Sequence, residues 1–154
     1  MNDLFSIFLD LMDRLDKNNV EYILIGGMAI NIHGFARNTE DIDIFVKPTE
    51  KNINNLRNVL LAQFNDEEIN EITKEELDKY TVIRFVTEAG FSIDIISRLG
   101  ETFEFDDLVF ELKKIEGVNI RIADVKTLYK LKEKTYREVD QLDLKFLKSK
   151  MENK

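Results

Sequence analysis

Two aspartates, Asp41 and Asp43, stand two positions apart in the apolar segment Asp41-Ile42-Asp43-Ile44. In an extended strand, alternate side chains project from the same face, so both carboxylates would point to one side. Two carboxylates held side by side repel each other unless a cation lies between them. Mg²⁺ takes oxygen ligands and is usually held by one or two carboxylates together with substrate phosphates. The spacing therefore predicts a Mg²⁺ (or Mn²⁺) site at Asp41 and Asp43.

A third aspartate, Asp94, is the only charged residue of the apolar segment 91–96. A buried carboxylate without a partner is unfavourable, but this one is explained if its strand lies beside the first pair. Three carboxylates would then hold two metal ions, one activating an attacking hydroxyl and one holding a triphosphate and stabilising the leaving pyrophosphate. The pattern predicts that Asp41, Asp43 and Asp94 are both metal ligands and catalytic residues.

A glycine pair, Gly26-Gly27, follows the apolar segment 20–25 and precedes Asp41 by thirteen residues. After a strand and at the start of a helix, two glycines let the backbone approach a phosphate, and the helix N-terminus offers free N–H groups. A glycine pair alone is weak evidence. Followed at this distance by two aspartates on a strand, it predicts a phosphate cradle beside the metal ligands.

Hydrophobic periodicity predicts the elements that must position these residues. Helices are expected over residues 4–17, 28–33, 49–64, 125–134 and 137–150, and strands over 20–25, 41–46, 81–87, 91–97, 109–115 and 118–122. Residues 65–80 are weakly patterned, which indicates a loop with one or two helical turns. The order favours a single α/β (α+β) domain over residues 1–154, with a mixed sheet flanked by helices in 1–122 and a short C-terminal helical tail in 123–154.

These motifs resemble the DNA polymerase-β-like nucleotidyltransferase superfamily. The fuller string Gly26-Gly27-Met28-Ala29, His33-Gly34, Arg37, Thr39 and Asp41-Ile42-Asp43-Ile44 is most similar to the AbiEii-type and related small nucleotidyltransferases, many of which belong to toxin–antitoxin or phage-defence operons. The resemblance implies a metal-dependent enzyme that transfers NMP from an NTP, such as ATP, to a hydroxyl, and the composition and the lack of a long apolar run predict a cytoplasmic location. It also implies a tRNA, protein or small-molecule acceptor and a cognate toxin or antitoxin partner.

The resemblance assigns roles to individual residues. Gly26 and Gly27 would contact the nucleotide phosphates, the three aspartates would bind metal, and Asp94 would assist deprotonation of the acceptor hydroxyl. The sequence departs from the pattern at Gly27, where many members have Ser, so one side-chain contact to phosphate is missing. The short chain also has little room for a separate acceptor-binding domain.

Several cations are candidates for binding the triphosphate, and each has a structural alternative. Arg37 precedes the aspartate pair and would suit a bound triphosphate. Lys126, Lys130 and Lys134 recur every four residues on one helix face, where a solvated stripe is the alternative. Arg84 could pair with a site carboxylate across the hairpin, but a surface ion pair is favoured.

Further residues are expected to be structural: His33 bonding a carbonyl, Arg137, Asp140 and Asp143 in ion pairs, and Val139, Leu142, Phe146 and Leu147 in packing.

Composition narrows the function classes. The chain has no Cys and one His, which excludes disulfide scaffolds, thiolate zinc sites and multi-His metal sites. No apolar run is long enough to cross a bilayer, so no membrane association is expected.

Charge is distributed unevenly along the chain. Residues 1–112 carry 10 basic and 23 acidic residues, whereas residues 113–154 carry 12 basic and 7 acidic residues. Extended RNA binding is therefore disfavoured, but a short RNA end could contact the basic tail. The alternatives to an enzyme are a partner subunit with little or no transfer activity, or an exposed strand end without function.

Overall fold

The computed structural model describes residues 3–36, 38–100, 103–134 and 141–153. Within these ranges the helices are α1 (Leu4–Lys17), α2 (Gly26–Ile32), α3 (Glu50–Phe64), α4 (Lys74–Tyr80), α5 (Val125–Lys134) and α6 (Gln141–Glu152). The strands are β1 (Tyr22–Ile25), β2 (Asp41–Val46), β3 (Val82–Val86), β4 (Ser92–Ile96), β5 (Arg98–Leu99), β6 (Phe103–Glu104), β7 (Phe110–Ile115) and β8 (Val118–Ala123). Two short 3₁₀ helices cover Glu67–Glu71 and Phe105–Asp107.

The main sheet has six strands in the order β3-β4-β2-β1-β8-β7. Strand β2 pairs antiparallel with β1 and parallel with β4, and β8 pairs parallel with β1 and antiparallel with β7. This arrangement confirms the predicted mixed sheet with flanking helices. It also places β2 and β4 at the centre, where both are held on either side by hydrogen-bonded neighbours.

The helices form where the sequence offers caps and an apolar stripe. In α1, Asp3 accepts a hydrogen bond from the Ser6 backbone N–H at 2.7 Å, and the buried residues Phe8, Leu11 and Leu15 recur at helical spacing. Helix α3 is capped by Thr49, whose side-chain oxygen accepts a hydrogen bond from the Asn52 N–H in the same way. These stripes pack into one hydrophobic core with the strands, and Leu128, Leu131 and Leu147 of the C-terminal helices belong to the same core.

The structure differs from the sequence expectations in four places. Helix α2 begins at Gly26 rather than at Met28, and residues 65–80 form a 3₁₀ helix and α4, capped by Asp66 and Thr73. The two-residue strands β5 and β6 are too short to produce a periodic pattern, so they were not predicted. Leu142 is exposed instead of packed. Val139 lies outside the described residues. In the part of the chain that the structure describes, no helix is both long and apolar enough to cross a membrane.

Candidate active site

The register of the two central parallel strands brings the three aspartates together. Asp43 on β2 lies opposite Asp94 on β4, and Asp41 lies opposite Ser92. Residues paired in this way project to the same face of a sheet. Ile42, between the two β2 aspartates, is fully buried and projects to the other face. We call Asp41, Asp43 and Asp94 the acidic cluster.

Burial and neighbouring charge both act on Asp43. Removal from water raises the pKa of the Asp43 carboxyl most, and the charge of Asp94, a hydrogen bond with Asp94 and the charge of Asp41 raise it further, to about 7. The charge of Lys132 acts in the opposite direction and lowers the same pKa. The acidic cluster therefore holds more negative charge than its surroundings balance, which is the electrostatic condition that a bound cation relieves.

The glycine turn lies directly against the acidic cluster. Gly26 follows Ile25, which pairs with Asp43 across β1 and β2. Its φ of +74° lies in the left-handed region, and a Cβ at this position would overlap the Asp43 carboxylate and lie 2.9 Å from its Cγ. Gly26 is thus required both by backbone conformation and by space. The backbone where α2 begins is held next to the carboxylate that would bind metal.

Two further side chains hold the outer carboxylates. Arg84 on β3 pairs with Asp94 across the hairpin, and its Nε and Nη2 donate to Asp94 Oδ1 and Oδ2 at 2.9 and 3.0 Å. The same Nη2 lies 4.0 Å from Asp41 Oδ2, and the Arg84 side chain is 59% exposed. Ser92 Oγ donates to Asp41 Oδ1 at 2.5 Å. The favoured surface ion pair for Arg84 was therefore wrong, and counting the hairpin register back from Gly90 would have indicated the Asp94 partner.

The carboxylate oxygens of the acidic cluster are the candidate ligands for a metal ion. Among the residues that the structure describes, no group of three His, Asp or Glu side chains is arranged to hold a metal ion. Both oxygens of Asp94 accept from Arg84, and one oxygen of Asp41 accepts from Ser92. By donor type, however, three carboxylates suit a hard divalent cation such as Mg²⁺ or Mn²⁺. The donor set therefore fits such an ion, and Arg84 is the group that competes with it.

One lysine whose charge acts on the acidic cluster was missed by the sequence analysis. Lys132 on α5 forms an ion pair with Asp143 on α6 at 3.3 Å, and it is the lysine whose charge lowers the pKa of Asp43. Its side chain is 13% exposed, and Asp143 is 1% exposed. The signal was available, because Lys132 lies four residues after the buried Leu128 and therefore on the inward side of α5.

The other predicted cations lie elsewhere. Lys126 and Lys130 are exposed on α5, turned around the helix axis from Lys132. Arg37, Arg137, Asp140 and the Lys134 side chain lie outside the described residues.

Two residues that were expected to be structural are so in the fold. For Asp143, an ion pair was predicted and is found, although its partner is Lys132. His33 is buried, and its Nε2 lies 2.9 Å from the Ala123 carbonyl oxygen, which confirms a structural carbonyl contact.

Solved structures share this fold. The lincosamide antibiotic adenylyltransferase LnuA, bound to lincomycin, matches with a TM-score of 0.59 and 16% identity over 97% of this chain and 99% of that one. TM1012 of Thermotoga maritima, described as a candidate nucleotidyltransferase, matches with a TM-score of 0.59 and 14% identity over 97% and 93%. The antibiotic-resistance factor ANT(2'')-Ia matches with 0.55 and 15% over 97% and 85%. The architecture is that of the nucleotidyltransferase fold.

The family follows from the sequence itself. Residues 10–138 match the model of the family described as nucleotidyl transferase AbiEii toxin, type IV TA system. The match covers most of the chain, so this protein belongs to the AbiEii nucleotidyltransferase family and is a nucleotidyltransferase. Among curated proteins, none matches the chain significantly.

Proposed function

We propose that the chain transfers an NMP group from an NTP to a hydroxyl acceptor in a reaction that depends on Mg²⁺ or Mn²⁺. The observation that carries the proposal is the pairing of Asp43 with Asp94 beside a glycine that approaches the Asp43 carboxylate. Strands hold carboxylates rigidly, so like charges placed together there cannot move apart to relieve their repulsion. Such an arrangement is expected where a cation and a phosphate must be bound at a defined position.

In this proposal the acidic cluster supplies the metal ligands. Metal ions bound there would make the attacking hydroxyl a better nucleophile and stabilise the charge of the leaving pyrophosphate. Asp94 would receive the proton of the acceptor hydroxyl. The oxygen of the deprotonated acceptor hydroxyl would then bond to the α-phosphorus while the α–β phosphoanhydride bond breaks and pyrophosphate leaves. Gly26 and Gly27 would let the backbone approach the phosphates.

Arg84 and Lys132 would both supply positive charge to the acidic cluster. The two donors of Arg84 hold both oxygens of Asp94, and a metal ion would compete with them for those oxygens. Lys132, fixed by the buried carboxylate of Asp143, supplies positive charge near Asp43 and is our preferred contact to the triphosphate. Arg37, Lys126 and Lys130 stay predicted contacts to the nucleotide.

The acceptor class is open between an RNA end, a protein side chain and a small molecule. Two structural neighbours were determined with small acceptors or their products, lincomycin with LnuA and adenylyl-2''-tobramycin with ANT(2'')-Ia. The net negative charge of residues 1–112 disfavours a long RNA and is compatible with a short RNA end or a cationic small molecule. Membership of a toxin family supports a cytoplasmic role beside a cognate antitoxin.

The test is transfer of label from each of the four α-labelled NTPs, with Mg²⁺ or Mn²⁺, to total tRNA, to a candidate partner protein and to hydroxyl-bearing antibiotics. Asp43→Asn should lower transfer by at least about 1,000-fold, since it removes a ligand charge. Asp78→Asn is the matched control, because Asp78 is exposed on α4 and pairs with Lys74.

Two results would contradict this proposal, one against transfer by the chain and one against the role of the acidic cluster. Wild-type chain that transfers no label to any acceptor, but forms a stoichiometric complex with the partner protein, would indicate the alternative of a partner subunit without catalysis. Transfer that survives in Asp43→Asn would show that the acidic cluster does not perform the chemistry.

A further inference from the structure

Strand β7 is an open edge of the main sheet, and it exposes the apolar side chains of Phe110 and Leu112. Among the described strands, β8 is the one that pairs with β7. Leu112 is 68% exposed, and Phe110 and Val109 are also exposed. Exposed edge strands are normally shortened or covered, because they offer unpaired N–H and C=O groups to other chains. This edge is six residues long and presents apolar side chains with those groups.

The hairpin fixes which backbone groups point outward. Ile115 pairs with Val118 across the two-residue turn Glu116-Gly117, whose φ values of 49° and 83° indicate a type I′ turn. In such a hairpin the residues flanking the turn exchange both backbone hydrogen bonds, so odd-numbered residues of β7 bond to β8. The Val109 carbonyl accepts from the Asp124 N–H, which agrees with this parity. The N–H and C=O groups of Phe110, Leu112 and Lys114 therefore face outward.

We propose that β7 pairs antiparallel with β7 of a second copy of this chain, with Leu112 opposite Leu112 of the other copy on the two-fold axis. The outward groups of even-numbered residues can pair in three central registers, and side-chain charge selects one of them. A one-step shift in either direction sets Glu111 opposite Glu111, or Lys113 opposite Lys113. The central register sets Glu111 of each copy opposite Lys113 of the other.

The chosen register gives each side chain from Phe110 to Lys114 a partner in the other copy. Glu111 and Lys113 already lie 3.6 Å apart on one side of β7, so pairing two copies produces a square of alternating charges. On the other side, Phe110 of each copy would lie opposite Lys114 of its partner. Arg121 already stacks on the Phe110 ring, 4.3 Å from its centre, so the ring is placed to accept cations. The two-fold axis makes every contact occur twice.

The experiment measures self-association of the full chain by sedimentation velocity up to about 200 µM, a range that detects weak interfaces. Wild-type chain should form a dimer. Glu111→Lys or Lys113→Glu alone should raise the dimer Kd at least about tenfold, because two attractive contacts become two repulsive ones. Lys51→Glu, an exposed change of the same charge on α3, should leave it unaltered.

The single variants identify the register, because only in the central register does each of them turn an attractive pair into a repulsive one. Mixing then tests whether charge drives the pairing. An equimolar mixture of the Glu111→Lys and Lys113→Glu chains should form a heterodimer, since every opposing pair is then oppositely charged. Leu112→Pro should abolish the dimer while the melting temperature stays near that of wild type, because proline removes an outward N–H that the hairpin does not use. The proposal would be overturned if the wild-type chain stays monomeric. It would also be overturned if the dimer Kd is the same in the wild type and in the variants at Glu111, Leu112 and Lys113. Failure here would leave nucleotide transfer, which uses other residues, unaffected.

Discussion

The acidic cluster and the Lys132–Asp143 ion pair are both polar groups in an apolar interior, but their charges are balanced in opposite ways. Lys132 and Asp143 join two helices at 3.3 Å and neutralise each other. In the acidic cluster, three carboxylates share the exposed guanidinium of Arg84, and the pKa of Asp43 rises to about 7. The ion pair is therefore stabilising as long as both partners are present, whereas the acidic cluster opposes folding.

The difference separates a balanced pair of charges from an unbalanced group of like charges. A buried ion pair contributes to one packing arrangement, and its loss leaves an unpaired charge in the interior. A cluster of like charges on rigid strands contributes nothing to packing that apolar residues would not do better. Its presence is explained by what it binds. Removing charge should consequently destabilise the first region and stabilise the second.

The largest effect on stability is expected from breaking the ion pair. Asp143→Ala should lower the free energy of unfolding by about 3 kcal/mol, because it leaves Lys132 without its carboxylate in a largely buried position. Urea unfolding followed by circular dichroism measures the change. The double variant Asp143→Ala with Lys132→Met should recover part of the loss. If the single variant is as stable as the wild type, the pair is not structural.

A gain of stability is expected when charge is removed from the acidic cluster. Asp43→Asn should raise the free energy of unfolding at pH 8 by about 1–2 kcal/mol, a value discounted for the partial exposure of the site. The folded-state pKa of about 7 lies above the ordinary 3.8, so the folded chain holds this proton more tightly than the unfolded chain. The contribution of Asp43 thus favours folding at low pH and is lost as the pH rises from about 4 to 7.

The same variant should change the pH dependence of stability. Wild-type chain and Asp43→Asn should differ most above pH 7 and converge below the ordinary pKa of 3.8, where Asp43 is protonated in both states. Asp78→Asn, a change at an exposed position, provides the control. A constant difference between Asp43→Asn and the wild type across this range would contradict the raised pKa.

A divalent cation should relieve the repulsion in the acidic cluster. Saturating Mn²⁺ or Mg²⁺ should raise the free energy of unfolding of the wild type by about 1–2 kcal/mol, measured as a shift in melting temperature. Asp43→Asn and Asp94→Asn should lose this response, whereas Asp78→Asn should keep it. A shift of equal size in all four chains would indicate non-specific binding.

The smallest effect is expected at Arg84. Because its guanidinium holds both oxygens of Asp94 but is mostly exposed, Arg84→Gln should lower the metal concentration at the midpoint of that shift by about threefold. Lys74→Gln, which removes an exposed cation paired with Asp78, should leave the midpoint unchanged. Weaker metal binding by Arg84→Gln would show that Arg84 organises the acidic cluster for the metal rather than competing with it.

Much of the fold was predictable because its signals are local. The period-two strand at Asp41–Val46, the apolar stripe of α1 and the helix caps at Asp3 and Thr49 each depend on a few neighbouring residues. The short β5 and β6 strands gave no periodic signal, and α4 was obscured by the acidic composition around it. Residues that act across the fold were harder to find, since Lys132 looked like one lysine among many.

By its own pattern, the sequence determined that Asp41 and Asp43 share a strand face and that a glycine turn precedes them, because alternation and glycine conformation are properties of a few adjacent residues. Only the tertiary structure decided that Asp94 pairs with Asp43, that Arg84 holds Asp94, and that the charge of Lys132 acts on Asp43. Strand register and helix rotation depend on how distant segments bury their apolar faces together, and no short segment carries that information.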